Sequence, residues 1–180
     1  MIHLISTNNI PSKGYQLKEQ DIGTFRTTLR GTVGGSVFVV STFFKTDIFY
    51  QSDKRKENEI LKLWKLYLKN DSILDSGHIS SHAGVGLVFN HYFDSLTLLS
   101  RNQLKYKSYL KAFRKAYQIN PSNELALKLI ECDRMVIGSH ESQGLHKREE
   151  LLPIDEEILP PPSDQVPHLK STFLNNYVEN

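Results

Sequence analysis

The sequence predicts an α+β domain, and three observations carry that expectation. Two arms rich in Thr, Val and Phe flank Gly34 and Gly35, later segments show apolar residues at helical spacing, and the composition turns to proline and acid after about residue 144. We therefore expect an N-terminal hairpin-based small sheet packed against three or four helices over residues 1–144, followed by an extended acidic Pro-rich tail over 145–180. The chain has 180 residues, 39% hydrophobic and 23% charged, which is globular composition. A chain of this length buries roughly 70% of its unfolded surface, enough for one core.

Taken in order, Ile2–Ser6 reads as an edge strand. Residues 24–33 and 36–44 read as the arms of a hairpin, with both turn positions open to positive φ because they are glycine. In the first arm Phe25, Thr27, Leu29 and Gly31 alternate with Arg26, Thr28 and Arg30, so the expected strand presents two guanidiniums on one face. Val37, Phe38, Val39 and Val40 are apolar on both faces, the mark of a strand covered on each side. Asp47–Gln51 continues or pairs with it. Ile60, Leu63, Trp64 and Tyr67 then define a helical face between Asp53 and Asn70. A second helix is expected over 82–99 through Val88, Phe89, Tyr92, Leu96 and Leu99, weakened by Gly84 and Gly86, with a strand over 85–89 as the rival. A third spans 102–119 and stops before Pro121, and a fourth runs over 122–137 with Gly138 placed to close it.

The formal charge is only +2, too small to argue for nucleic acid by itself, yet it is unevenly spread. Residues 1–144 hold nineteen bases against thirteen acids, and residues 145–180 hold seven acids against three bases. Cys132 is the only cysteine, which excludes an intramolecular disulfide and a cysteine-based zinc cage and favours a reducing compartment, cytosolic or nuclear. No signal-like start and no run of 18 apolar residues occurs, so no membrane span is expected.

The densest electrostatic feature is residues 101–117, with no acid between Asp94 and Glu124. On a helix, Lys107, Lys111, Arg114 and Lys115 gather beside a Tyr and Phe stripe, a face suited to phosphates with any unburied tyrosine free to stack on a base, and Arg26 and Arg30 enlarge it if the sheet lies alongside; the acidic tail, with Glu149, Glu150, Asp155, Glu156 and Glu157, is an intramolecular competitor for the same face. Histidines are dense in DSGHISSHAGVGLVFNHYFD. His78, His82, His91 and Asp94 are the residues an enzyme would use, although a helix over 82–99 points His82 and His91 to opposite faces. No phosphate loop, complete dinucleotide fingerprint or metal-ligand spacing is present, so no cofactor and no metal are expected. Cys132, among Ile130, Asp133 and Val136, reads as a buried thiol.

Residues 112–130, AFRKAYQINPSNELALKLI, resemble the second helix of a tetratricopeptide repeat and the turn into the next, with Phe113, Ala116, Pro121 and Ala126 at the family's spacing. The resemblance covers less than one repeat. Upstream, Phe93, Leu96, Thr97 and Ser100 replace the family's pattern, and Tyr109 stands where a small alanine belongs. What it implies is peptide or subunit binding. In the tail, Leu169, Phe173 and Tyr177 fall at i, i+4 and i+8, a candidate docking element.

Together these observations lead to the expectation of a non-catalytic interaction or assembly subunit with a protein partner, bound through the basic and aromatic helical face and the tail. A nucleic-acid-binding protein of viral or ribonucleoprotein type and a small enzyme centred on the histidines are the alternatives.

Overall fold

The computed structural model describes residues 1–7, 14–68, 78–142 and 152. Its elements follow the order β1 (Ile2–Thr7), α1 (Glu19–Val33), β2 (Val37–Ser41), β3 (Thr46–Gln51), α2 (Glu57–Tyr67), β4 (Ile79–Ala83), α3 (Val85–Ser100), α4 (Gln103–Ile119) and α5 (Glu124–Ser142). One four-stranded antiparallel sheet runs in the order β2-β3-β1-β4, with Leu4 opposite both Phe49 and His82 and with Val39 opposite Ile48. Through β4 this is the split βαβ arrangement of the ferredoxin-like topology. The fold is α+β, as expected.

Side-chain alternation divides the sheet into two apolar faces. Ile5, Val37, Val39, Ile48 and Tyr50 pack with Phe25, Leu29 and Val33 of α1 and with Ile60 and Trp64 of α2. On the opposite face Leu4, Phe38 and Phe49 meet Phe89, Tyr92 and Phe93 of α3, Phe113 and Tyr117 of α4, and Leu125 and Leu129 of α5. The sheet is therefore a middle layer, which is why Val37–Val40 is apolar throughout. Leu152 is buried in the second cluster, and its N–H donates to Asp133 Oδ2 at 2.6 Å.

The expected first arm of the hairpin is instead helix α1. Phe25, Leu29 and Val33 lie at i, i+4 and i+8 and are the buried residues of that helix. Three of its four threonines satisfy their hydroxyls locally: Thr27 Oγ1 donates to Gly23 O at 3.1 Å, and Thr28 and Thr32 make the same backward bond at 3.0 Å. Glu19 and Asp21 in the first turn and Arg30 in the last complement the helix dipole. Gly34, at φ 73°, is the left-handed cap, its N–H donating to Arg30 O, so it ends a helix and does not turn a hairpin. A hairpin does exist one step later, between β2 and β3, closed by Thr42 N–H to Lys45 O at 2.8 Å. Moreover, β1 is a central strand and not an edge, β4 replaces the start of the expected 82–99 helix, and α5 continues through Gly138 to Ser142. Helix α4 ends at Ile119, before Pro121, as the sequence requires. Leu169, Phe173, Tyr177 and the rest of the expected tail after Leu152 lie outside the described residues.

Candidate functional site

Two constellations emerge from this architecture, one on the surface and one buried. The surface site follows from α1 being a helix. It stands over one face of the edge strand β2 while α4 stands over the other, and a cleft of about 600 Å³ opens between them. Leu17, Ile22, Val39, Ala112 and Ala116 supply apolar lining, whereas Arg26, Lys111 and Lys115 supply positive charge. Glu19 of α1 reaches across to pair with Lys115 of α4, both side chains being largely exposed. Among the described residues neither Arg26 nor Lys111 takes part in an ion pair. A more open hollow of about 540 Å³ continues over the outer face of α4, lined by Lys107, Lys111, Arg114 and Lys115.

The six cations singled out in the sequence are thus treated unevenly. Arg26, Lys111 and Lys115 meet in the cleft, Lys107 and Arg114 extend it, and Arg30, exposed on the last turn of α1, lines neither hollow. Arg26 joins the group from a helix, not from the expected strand. The aromatic stripe of α4 faces inward: Tyr109, Phe113 and Tyr117 are fully buried and Tyr106 is half-buried.

The buried constellation crosses the sheet at the C-terminal end of β1. Asp47, Ser6 and Ser80 form one cross-strand row on the face toward α3 and α4. Lys45 Nζ lies 2.8 Å from Asp47 Oδ1 and donates to Ser6 Oγ at 2.6 Å, and Ser6 Oγ donates to Asp47 Oδ1 at 2.6 Å. From α4, Tyr109 OH donates to Asp47 Oδ2 at 2.5 Å and contacts Tyr92 OH at 3.3 Å. Lys45 and Asp47 are 1% and 0% exposed, so each charge depends on the other for compensation. Burial first and the Asp47 carboxylate next raise both tyrosines well above their ordinary range, so they act as neutral hydroxyls.

Beside this row, His82 of β4 and His91 of α3 stack with ring centroids 3.8 Å apart, and His91 Nε2 lies 3.2 Å from Ser80 Oγ. The sequence reading separated these two because it placed both on one helix; the β4–α3 boundary at Gly84 brings them together. His78 and Asp94 do not join them. His78 is exposed and meets Tyr15 edge-on at 6.5 Å, and Asp94 is an exposed residue of α3. Burial, followed by Lys45, depresses His82; burial, His82 and then Lys45 depress His91, with Asp47 and Asp94 opposing. Both imidazoles are therefore neutral at pH 7. Their stacked rings do not direct lone pairs to a common point, and among the described residues no group of three or more His, Cys, Asp or Glu is placed to hold a metal ion. Cys132 is buried, and desolvation pushes its thiol up, so it is not poised as a nucleophile.

Lys45, Asp47 and Ser6 were not singled out in the sequence, where Ser6 lies 39 and 41 positions from Lys45 and Asp47 and none of the three carries a local signal. No helix among the described residues is long and apolar enough to cross a membrane. Comparison with known proteins finds no matching family model, no matching curated protein and no matching solved structure.

Proposed function

We propose that this chain is a non-catalytic interaction protein that binds an acidic protein partner on the surface formed by α4 and α1. The observation that supports this reading above the others is the convergence of Arg26 with Lys111 and Lys115 around an apolar-lined cleft, continued by Lys107 and Arg114. Binding by stacking of bases draws no support from Tyr109, Phe113 or Tyr117, which are in the core. The C-terminal segment bearing Leu169, Phe173 and Tyr177 is the second contact in this reading, and a reducing cytosolic or nuclear setting accords with the lone cysteine.

The test is fluorescence anisotropy of the full chain with labelled polyglutamate and with a labelled single-stranded oligonucleotide, each titrated at several salt concentrations. The reading expects polyglutamate to bind in a salt-sensitive manner and to be lost when Lys111 and Arg114 are both changed to Glu. Preference for the oligonucleotide would move the protein to the nucleic-acid class, and binding of neither would remove the basic surface as a site.

A further inference from the structure

The α1–α4 cleft has features that a purely electrostatic surface does not need. Its walls carry small residues, Gly23 on α1 and Ala112 and Ala116 on α4, so the gap between the helices is left open beneath the ring of cations. At Gly23 a Cβ would meet nothing within 4 Å. Ile119, at one end of the cleft, is 59% exposed, a large apolar side chain held at the surface of the same site. A volume of about 600 Å³ lies within the range of sites that take apolar groups fixed by a few polar ones.

We propose that the cleft receives large apolar anchor side chains of an acidic segment belonging to a separate protein, while carboxylates flanking those anchors pair with Arg26, Lys111 and Lys115. The proposal rests on the reading of α4 and α1 as an acidic-partner surface and adds what that partner must carry. Charge complementarity selects the acids, and the apolar lining selects the anchors. The cationic surface runs beyond the cleft to Lys107 and Arg114, which a single small molecule seated between the helices would leave unused and a polypeptide segment would not.

Glu19 gives the site an internal competitor. Its carboxylate already occupies Lys115 at the rim, in an exposed pair of the kind that contributes little to stability. An incoming carboxylate displaces Glu19 from Lys115, so Glu19 opposes binding and its removal strengthens binding. That sign is opposite to what loss of a stabilising surface residue produces.

The test uses the full chain and a labelled peptide of sequence Glu-Glu-Leu-Phe-Glu-Leu-Glu, with a control in which Leu and Phe are replaced by Ser. The anchored peptide should bind at least about tenfold more tightly than the control, the difference that burying even one large apolar side chain supplies. Gly23→Leu fills the cleft from a position with room for a side chain, and should weaken the anchored peptide by about tenfold while leaving the control unchanged. Its thermal melt should match or exceed that of the parent, because leucine favours helix over glycine. Glu19→Gln should tighten both peptides, and Lys111→Glu should weaken both.

Equal affinity for the two peptides, with Gly23→Leu silent, overturns the anchor proposal and leaves the acidic-partner reading standing. Failure of both peptides to bind overturns the two together. Reversing Asp155, Glu156 and Glu157 to Lys provides one further check: large tightening of the anchored peptide would assign the cleft to the chain's own acidic segment. Concentration-dependent dimerisation abolished by Gly23→Leu would assign it to a second copy. Either result refutes a separate partner.

Discussion

Asp47→Asn changes one buried charge and almost no volume, and its cost follows from the partners around it. Asp47 is fully buried and accepts from Ser6, Lys45 and Tyr109. The substitution leaves the Lys45 ammonium, itself 1% exposed, donating to Ser6 Oγ with no ion-pair partner among the described residues. Removing one member of a buried pair costs about 3–5 kcal/mol. At about 2–4 °C per kcal/mol for a chain of this size, the melting temperature should fall by about 6–20 °C. Lys45→Met with Asp47→Asn removes both charges while keeping an acceptor for Tyr109, so the double variant should regain most of the loss. Calorimetry and urea unfolding of the two single variants and the double complete the cycle. A loss below about 1 kcal/mol in Asp47→Asn, or a double variant no better than the single, would refute the idea that the pair is mutually compensating.

The remaining expectations concern other parts of the fold. Because His82 and His91 are depressed in the folded state below their ordinary 6.5, the unfolded chain binds more protons; stability should be full above that pH and fall as pH drops through it. Two such groups allow a slope of at most about 2.7 kcal/mol per pH unit, so urea midpoints at pH 7.5 and 5.5 should differ, and His82→Gln with His91→Gln should flatten the difference; an unchanged slope in that variant refutes the assignment. Gly35→Ala places a Cβ 2.3 Å from the backbone oxygen of Gln51, beside the Gln51 N–H to Ser36 O bond, and should cost about 1–3 kcal/mol in thermal unfolding. Asn123→Ala removes the Oδ1 acceptor for the N–H groups of Leu125 and Ala126 and the Nδ2 donor to Val37 O. It should cost about 2 kcal/mol, more than an exposed cap, and a loss below about 0.5 kcal/mol would show that the α5 to β2 link is dispensable.

What the sequence made legible depended on whether one periodicity stood alone. Helix α4 offered a single pattern with Pro121 beyond it, and its bounds were expected within a residue. Segment 24–33 offered two patterns at once, because Phe25 and Leu29 are four apart and satisfy both a helical face and a strand face. Threonine and valine content tipped the reading to strand, whereas burial against β2 and α2 and the local threonine hydrogen bonds decide it for helix. Strand β4, Ile-Ser-Ser-His-Ala, has one large apolar residue and no strand-like alternation, so only pairing with β1 creates it. That missed strand is why His82 and His91 were assigned to opposite faces. The Lys45–Asp47 pair was invisible for a different reason: opposite charges two residues apart are common at a turn, and nothing local marks them as buried.

The cationic face of α4 is the place where local and global preferences disagree. Lys107, Lys111, Arg114 and Lys115 include like charges at i, i+4, each such pair disfavouring an isolated helix by about 0.2–0.5 kcal/mol, and the helix contains no acid to offset them. Burial of Tyr109, Phe113, Ala116 and Tyr117 is large enough to hold the helix despite that repulsion. Since those core contacts are made by the opposite face, they would be equally available to a sequence with acids interleaved among the lysines. The core contacts of α4 therefore do not account for its run of positive charge, and Glu19 is the acid that pairs with Lys115. A local cost that folding does not require is expected where a site acts on something outside the chain. In the proposed reading, binding of an anionic partner would relieve the repulsion, so side chains that weaken the free helix would strengthen the complex.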